Sequence, residues 1–402
     1  MPKPRGANPN NQLVSRQQML GFVPQRQPTM NTFTASWGAL SLYFVYNFCL
    51  CIANTHNNPY YDIIPPFRQQ TKSSGTQVKL YLAPMEGVID HHMRNILTRI
   101  GGYQHCVTEF VRVTDKRLPA SVFRRICPEL EQACKTNAET PVTIQLLGGE
   151  AEAMAENAQR AIELGAKSID INFGCPSRFV NRKEGGAVLL KEPERLFRIT
   201  DAVRRAVPGE IPVSAKIRLG YDSTDLALEN ARAVETANAS FITVHARTKV
   251  DGYTHPARWE WLGKINESLK IPMVANGDIN SVDDFLRCRE ISNCQDFMLG
   301  RGAIALPDLA RQIAASQSQD TQSQNIIVPM PWNEVKSLIL ELALAMQLQT
   351  QPSVEGPKIL GRLKQWLVFL KKQYPQAAEL FIEIRQLKQL SPALDLLQLN
   401  EN

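Results

Sequence analysis

One cysteine of this chain stands where a thiol could do chemistry. Cys175 lies between Gly174 and Pro176, at the end of the short apolar run at residues 168–174. An unperturbed thiol has a pKa of about 8.5, so it is mostly protonated at neutral pH and can give a proton to a reacting carbon. Most cysteines are instead small, buried and inert. A loop directly after a strand favours the proton donor at this position.

The other cysteines form no recognisable site. They are scattered, without a CxxC pair or a histidine pair at zinc spacing, at positions 49, 51, 106, 127, 134, 288 and 294. This usage is typical of reduced thiols in a cytoplasmic protein without a metal site. We expect five of them to be buried and inert, namely Cys106, Cys127, Cys134, Cys288 and Cys294.

Polar side chains also interrupt or end several apolar runs. They are Gln145, Asn172, Lys216, His245 and the triplet Asn276, Gly277 and Asp278. A lysine and a histidine that point into a protein interior need a partner that offsets their desolvation. A bound anionic or polar cofactor would provide one.

The triplet Gly300, Arg301 and Gly302 follows the last of these runs and precedes a helical stretch. Glycine amides at the start of a helix bind phosphate, and Arg301 would add a positive charge. A phosphate clamp here, with Gln145 and Lys216 against a ring edge, suits flavin mononucleotide (FMN). The alternative for Lys216 is a strand-end lysine that extends to solvent.

Eight strands that alternate with helical stretches are predicted from residue 78 onward. They cover residues 78–84, 105–110, 142–147, 168–174, 213–219, 241–247, 272–277 and 296–300. This alternation implies parallel pairing, and eight strands close a barrel. The predicted fold class is α/β, a (β/α)8 TIM barrel over residues 78–320, with its functional residues at the carboxyl ends of the strands.

The two ends of the chain differ from the barrel. A polar spacer precedes residues 327–402, which we expect to form a small all-α domain. Residues 1–77 are rich in Asn, Gln, Pro and Arg around an apolar stretch, 37–53, that is too short to span a bilayer. We expect residues 1–77 to be a disordered or non-native extension, with Val78 as the candidate true start and no membrane association if the extension is not native. The alternatives for residues 37–53 are a signal-anchor and the apolar region of a signal peptide.

The composition is that of an ordinary globular protein. Hydrophobic residues make up 44% of the 402 residues and charged residues 21%, which argues against wholesale disorder and against a polytopic membrane protein. The net charge of +6 makes nucleic acid a plausible partner, although many enzymes without such a partner are as basic.

Several motifs together resemble the tRNA-dihydrouridine synthases. They are APMEGVID (83–90), QLLG (145–148), DINFGCPSRFV with GGAVLL (170–190), KIRLG (216–220), VHARTK (244–249), ANGDI (275–279) and GRGA (300–303). The resemblance extends from residue 78 to the C-terminus. The PMEG start and the basic-apolar stretch at 361–374 are similar to the bacterial C-type, whose members reduce uridine 16 of the tRNA D-loop.

The resemblance implies a cofactor, a reductant and a substrate. They are FMN, NADPH and a uridine in folded tRNA, and Cys175 would give a proton to C5 of the uracil after hydride reaches C6. The residues implied for the flavin are Pro84, Met85, Glu86, Gln145, Lys216, His245, Asn276, Gly277, Asp278, Gly300 and Arg301. Those implied for tRNA are Asn172, at the target uridine, and Arg112, Arg362, Lys364 and Arg385.

Two positions depart from the family pattern. Asp278 replaces an expected glutamate after Asn-Gly, and we expect the shorter carboxylate still to reach a ribityl hydroxyl. Asp251 occupies a loop position where an amide is expected, and a carboxylate there does not suit an RNA backbone.

Because a uracil in the tRNA elbow is inaccessible, the base must be extruded, and basic side chains on the C-terminal helices could offset that cost through phosphate contacts. A charged stripe such as Lys358 and Arg362 is, without the family match, more often merely solvated. Two other functions stay open: an FMN barrel that reduces a free small molecule, and an RNA-binding module without chemistry. We expect a monomer.

Overall fold

A computed structural model of the protein describes residues 78–317, 328–348 and 352–398, with the backbone alone for residues 352–355. The expectations for residues 1–77 therefore fall outside the described part of the chain. The same holds for the spacer that precedes residue 328.

Eight parallel strands form a closed barrel, in which each strand pairs with the next and β8 pairs with β1. The strands are β1 (Leu80–Leu82), β2 (His105–Arg112), β3 (Val142–Leu147), β4 (Ile169–Asn172), β5 (Val213–Gly220), β6 (Phe241–Thr248), β7 (Met273–Asn276) and β8 (Asp296–Leu299). The prediction of a TIM barrel is confirmed, and all eight predicted strands are present.

Helices surround the barrel and continue beyond it. They are α1 (His91–Ile100), α2 (Ala120–Ile126), α3 (Ala151–Glu163), α4 (Arg178–Asn181), α5 (Pro193–Ala206), α6 (Ala227–Thr236), α7 (Trp259–Ser268), α8 (Val282–Ser292), α9 (Arg301–Ala305) and α10 (Leu309–Ser316). Two short 3-10 helices cover Pro128–Gln132 and Gly186–Lys191. The C-terminal helices are α11 (Trp332–Leu348), α12 (Pro352–Leu370), α13 (Pro375–Ile384) and α14 (Ser391–Gln398).

The strand β4 ends earlier than its apolar pattern predicts, and the reason is local. The side-chain oxygen of Asn172 accepts hydrogen bonds from the amides of Gly174 and Cys175, both at 2.9 Å. A side chain that takes these two amides turns the chain out of the sheet. The loop that carries Cys175 therefore begins at Asn172.

The main core lies between the strands and the surrounding helices, and a smaller apolar group fills the barrel interior around Tyr81, Val107 and Met298. The five cysteines expected to be buried and inert are all buried. Among the described helices, none is both long and apolar enough to cross a bilayer.

The C-terminal helices pack on the barrel's own helices. In α12, Trp366 is fully buried and its indole Nε1 donates a 3.0 Å hydrogen bond to the carbonyl of Ile304 in α9. In α11, Glu341 forms an ion pair with Arg99 of α1. The expected helical C-terminal segment is thus present.

Candidate active site

A cavity of about 850 Å³ opens at the carboxyl ends of the strands. This volume is within the range of pockets that enclose a cofactor or a drug-sized ligand. The sequence-predicted cofactor residues that line it are Pro84, Met85, Glu86, Gln145, Lys216, His245, Asn276, Gly277, Asp278, Gly300 and Arg301. Cys175, Asn172 and Arg112 line the same cavity.

A chain of buried hydrogen bonds runs through the barrel interior to the cysteine loop. Ser214 donates to Asp170 at 2.6 Å, and the amide of Gln145 donates to the other oxygen of Asp170 at 2.7 Å. Asn172 donates to the carbonyl oxygen of Gln145 at 2.7 Å, and its own oxygen holds the backbone amide of Cys175. Asp170 thereby orients two side chains of the cavity, although it is itself buried.

The loop around Cys175 is held from several sides. The Cys175 carbonyl accepts hydrogen bonds from the side chain of Asn181 at 2.9 Å and from the amide of Ala187 at 3.1 Å. Gly186 has a φ of +68°, and a Cβ there would lie 2.9 Å from the same carbonyl oxygen. The thiol is half-buried, and burial raises the pKa of Cys175 above its ordinary value, so the sulfur is protonated at neutral pH.

Lys216 on β5 points into the cavity. Its Nζ donates to the side-chain oxygen of Asn276 at 3.1 Å, and the amide nitrogen of Asn276 donates to the carbonyl of Met298 at 2.8 Å. Burial, with a smaller contribution from nearby Arg218, lowers the pKa of Lys216 to about 8, while Asp170 opposes that shift. The ammonium therefore lies where a negatively charged ligand would stabilise it.

His245 on β6 is buried beside four cations. Burial, followed by the charges of Arg218, Lys216, Arg247 and Arg301, lowers the pKa of His245 well below its ordinary value. The imidazole is consequently neutral at neutral pH. Its Nε2 lies 3.4 Å from Nη1 of Arg247.

Asp278 organises two of these arginines. One oxygen pairs with Arg301 at 2.9 Å, and the other pairs with Arg247 and accepts the amide of Ala257 at 2.9 Å. Asp278 itself has a φ of +53°, in the left-handed region. Both carboxylate oxygens are thus engaged within the protein, and the expected contact with a ribityl hydroxyl stays a prediction.

Close approach of the backbone shapes the wall at β8. A Cβ on Gly302 would lie 2.1 Å from the carbonyl oxygen of Ile279, so only glycine fits there. The guanidinium of Arg301 lies 4.2 Å from the ring centroid of Tyr253. With Arg218, Arg247 and Lys216 nearby, this part of the cavity carries an excess of positive charge, which would stabilise an anionic ligand group.

The turn after β1 forms the adjacent wall, because β1 pairs with β8. The carbonyl of Met85 accepts the amides of Val88 at 3.0 Å and Ile89 at 2.9 Å, which brings Met85 and Glu86 to the cavity. Burial, and then the charge of Glu109, raises the pKa of Glu86. Glu109 in turn accepts a hydrogen bond from the amide of Gly87.

Comparison with known proteins identifies the family. The Dihydrouridine synthase family model matches residues 81–391, which is more than half of the chain. The chain belongs to the dihydrouridine synthase family. It is therefore an oxidoreductase, as the sequence motifs imply.

Curated relatives of this dihydrouridine synthase family member match it over nearly all of their own length. A "tRNA-dihydrouridine(16) synthase" of Pseudomonas syringae pv. tomato is 50% identical over 309 residues, which is 77% of this chain and 95% of the relative. The protein of the same name from Pseudomonas putida is 49% identical over 310 residues, 77% of this chain and 93% of the relative. One from Neisseria meningitidis serogroup B is 43% identical over 320 residues, 80% of this chain and 94% of the relative.

Some lining residues of this synthase-family cavity were missed by sequence reasoning. Arg218 donates to the carbonyl of Gly174 at 2.8 Å and to that of Thr248 at 3.1 Å, so it ties the cysteine loop to the end of β6. A signal for it exists, because Arg218 follows Lys216 by two positions and shares its face of the strand. The exposed aromatic rings at the mouth belong to Phe179, in the four-residue helix α4, and to Tyr253, in the loop after β6, and neither segment carries a periodic signal.

The three C-terminal cations implied for tRNA lie elsewhere. Arg362 is bonded to the turn after β1, Lys364 donates to the carbonyl of Leu387 at 2.7 Å, and Arg385 is exposed at the end of α13. None of the three lines the described cavity. Their contact with tRNA stays a prediction, since nothing in the structure tests it.

Asp251 has a structural role in the loop after β6. Its carboxylate accepts the amide of Thr248 at 2.8 Å and pairs with Arg258 at 2.5 Å. Its charge is therefore largely neutralised within the protein.

Within the described residues, no group of three or more His, Cys, Asp or Glu is placed to hold a metal ion.

Proposed function

We propose that this protein reduces a uridine in the D-loop of tRNA, at position 16, to dihydrouridine, with FMN as prosthetic group and NADPH as reductant. The relatives' shared name supports both the tRNA substrate and the position. The observation that carries the proposal is that Cys175 and Lys216 line one cavity with Arg301. Cys175 as proton donor, Lys216 at the ring edge and Arg301 at the phosphate could thus act together on a flavin and a uridine bound in the same cavity.

A bound flavin supplies the hydride, and the residues present fit such a group. Lys216 and Gln145 would face the ring edge, since hydrogen bonds to Asn276 and to Asp170 respectively fix their side chains. Arg301, held by Asp278, would bind the phosphate beside Gly300. Pro84, Met85 and Glu86, in the turn after the neighbouring strand β1, would line the site on the side next to Gly300. His245, which lines the same cavity, would lie near the phosphate or the ring of the flavin.

Cys175 would donate its proton to C5 of the uracil. Its raised pKa keeps the proton on Sγ, and the half-buried thiol still lines the cavity. Asn172, which holds the Cys175 amide, would fix the thiol and lie near the target base. The resulting thiolate would be stabilised by Arg218, whose charge favours the ionised form.

The exposed cations next to the cavity suit the RNA backbone. Arg178, Arg182 and Lys183 are exposed in and directly after α4, which follows Cys175. Arg112 lines the cavity, with its guanidinium 4.3 Å from the ring centroid of Phe179. Phosphate contacts of this kind would offset the few kcal/mol that extrusion of a base costs.

The test is reduction of unmodified tRNA by the purified FMN-loaded enzyme with NADPH, followed by mapping of dihydrouridine along the tRNA. Dihydrouridine confined to position 16 supports the proposal and the C-type assignment. Reduction at another position would keep the tRNA-reducing activity and correct the position of the target uridine. Turnover of a free pyrimidine or enone without turnover of tRNA would favour the small-molecule reductase. A protein that binds no flavin would leave the non-catalytic RNA-binding module. The same preparation, analysed by sedimentation, tests the proposed monomer, and cell fractionation tests the cytoplasmic location.

A further inference from the structure

One face of α12 reaches the barrel at the seam where β1 and β8 pair. Arg362 and Trp366 are four residues apart, so they lie on the same side of the helix. Arg362 contacts the turn after β1, and Trp366 contacts α9, the helix that follows β8. The two contacts therefore flank the seam between the first and last strands.

The guanidinium of Arg362 is committed to the turn after β1. Nη1 donates to the carbonyl of Gly87 at 2.8 Å, and Nη2 donates to the carbonyl of Val88 at 2.7 Å and to Asp90 at 3.2 Å. The Arg362 side chain is only 12% exposed. The planar guanidinium carries charged donors in a fixed geometry and so forms strong, directional hydrogen bonds. It therefore holds the turn in place and does more than neutralise the charge of Asp90.

That turn carries the wall of the cavity. In this turn the carbonyl of Met85 accepts hydrogen bonds from the amides of Val88 and Ile89, so the position of Val88 sets that of Met85. Met85 also reaches across the seam, because a Cβ on Gly300 would lie 3.5 Å from its sulfur. A shift of the turn would therefore open the gap between Met85 and Gly300.

The second contact acts on the other side of that gap. The buried indole of Trp366 is bonded to the carbonyl of Ile304, and Ile304 belongs to the five-residue helix that starts at Arg301. Rigid packing of a large aromatic against so short a helix fixes the helix relative to α12. One helix face thus sets both sides of the cavity wall at the seam.

We propose that Arg362 and Trp366 are positioning residues for the flavin, and that the C-terminal helices complete the cofactor site as well as serving RNA binding. The inference rests on the proposed function, because it takes FMN as the ligand of the cavity. It assigns to Arg362 a role different from the expected contact with tRNA. The helical segment is then required for tight cofactor binding even without RNA.

The test is titration of the flavin-free protein with FMN, followed by flavin fluorescence, in the absence of tRNA. Arg362→Met keeps the length of the side chain and removes its donors, and we expect it to weaken FMN binding by about tenfold or more. The amides of the turn after β1 should also exchange faster with solvent in this variant. Lys364→Met is the matched control, because Lys364 lies on the same helix and, among the described residues, donates its hydrogen bond to Leu387 of the helical segment and not to the barrel. We expect its FMN affinity to stay within about twofold of wild type.

Each outcome decides the inference. Equal FMN affinity of Arg362→Met and wild type, at a temperature at which circular dichroism shows both folded, overturns it, and loss of tRNA affinity alone assigns Arg362 to RNA. If Arg362→Met does not fold, Arg362→Lys, which keeps the charge without the planar fork, is titrated instead, and the same two results support or overturn the inference. A wild-type protein that binds no FMN refutes the proposed function, which is a separate result.

Discussion

Cys175 differs from the inert cysteines in its access to the cavity, since burial raises the pKa of both kinds. Burial raises the pKa of Cys288 to about 12 and that of Cys294 to about 11, yet neither lines the cavity. Cys175 combines a retained proton with an open path to a ligand. A general acid needs both properties, because a thiolate has no proton to give.

Cys175→Ala should retain FMN and tRNA while losing most reduction of unmodified tRNA. Loss of a positioned proton donor typically costs about 10²- to 10⁴-fold in rate, and a single-turnover measurement with pre-reduced enzyme isolates that step. Cys288→Ala, which removes a buried thiol outside the cavity, is the control and should retain the rate. An undiminished rate in Cys175→Ala would remove Cys175 from the chemistry.

Lys216 should titrate far below an ordinary lysine in the flavin-free protein. Its pKa of about 8 compares with about 10.4 for an exposed lysine, so the ammonium signal in a ¹³C NMR titration should change near pH 8. Asp170→Asn should move that midpoint still lower, because the Asp170 carboxylate favours the charged lysine. A midpoint near 10 in the wild-type protein would contradict the packing described for Lys216.

The residues of the site differ in how far the sequence could reveal them. Gln145, Lys216 and His245 are polar residues inside apolar strands, and such positions are conspicuous in a sequence. Tyr253 lies in a loop and Phe179 in the four-residue helix α4, and the course of both segments depends on tertiary contacts that no periodic pattern encodes. Asp170 also stands in an apolar strand, but the sequence does not reveal its role, because its partners Ser214 and Gln145 become adjacent only once the strands pair.

At the scale of elements, the positions of the strands followed from apolar runs, while their ends did not. The prediction for β3 matches the structure, since Val142–Leu147 is buried throughout. The prediction for β1 was too long, because Leu80–Leu82 is followed by Pro84, which cannot donate to a ladder, and by the turn at Met85. Strand ends depend on side chains such as Asn172 that capture backbone amides, and a hydrophobic pattern does not show this.

Two glycine substitutions should have opposite effects on stability. Gly302→Ala places a Cβ against the Ile279 carbonyl, and an overpacked contact of this kind costs about 1–3 kcal/mol. Gly361→Ala meets nothing within 4 Å on the exposed side of α12, and alanine should stabilise a helix interior by about 0.5–1 kcal/mol. Urea unfolding of the two variants measures both changes. Because Gly302 lies beside Arg301, weaker FMN binding should accompany Gly302→Ala. Unchanged stability and FMN affinity in this variant would show that the backbone at Ile279 can shift to accommodate the added Cβ.

At the scale of the whole molecule, binding of tRNA should weaken steeply as salt is added. The chain carries a net charge of +6, and exposed cations lie beside the cavity mouth. Each phosphate contact contributes to the slope of log affinity against log salt, so Arg182→Gln and Lys183→Gln should each reduce that slope by about 1. Lys79→Gln, at the amino end of β1 and so at the opposite end of the barrel, is the control and should leave the slope unchanged. Equal slopes in all three variants would move the RNA surface away from α4.

The assignment of the helical segment shows where sequence reasoning stops at this scale. Its helices were predictable from apolar periodicity after Pro331, and they are present. The partner of Arg362 was not predictable, because a basic residue on an amphipathic helix has the same pattern whether it faces RNA or a distant turn of the same chain. Only the packing of α12 on the seam distinguishes the two.

The bond between Arg362 and Gly87 joins positions 275 residues apart. Since a ribosome releases a protein from its amino end, all eight strands emerge before α12 does. A nascent barrel therefore exists for a time without the contact from Arg362, because α12 begins at Pro352 and so belongs to about the last eighth of the chain. If Arg362 and Trp366 position the flavin as proposed, tight binding of the cofactor is a late event in biogenesis, and chains that end before α12 would bind it more weakly.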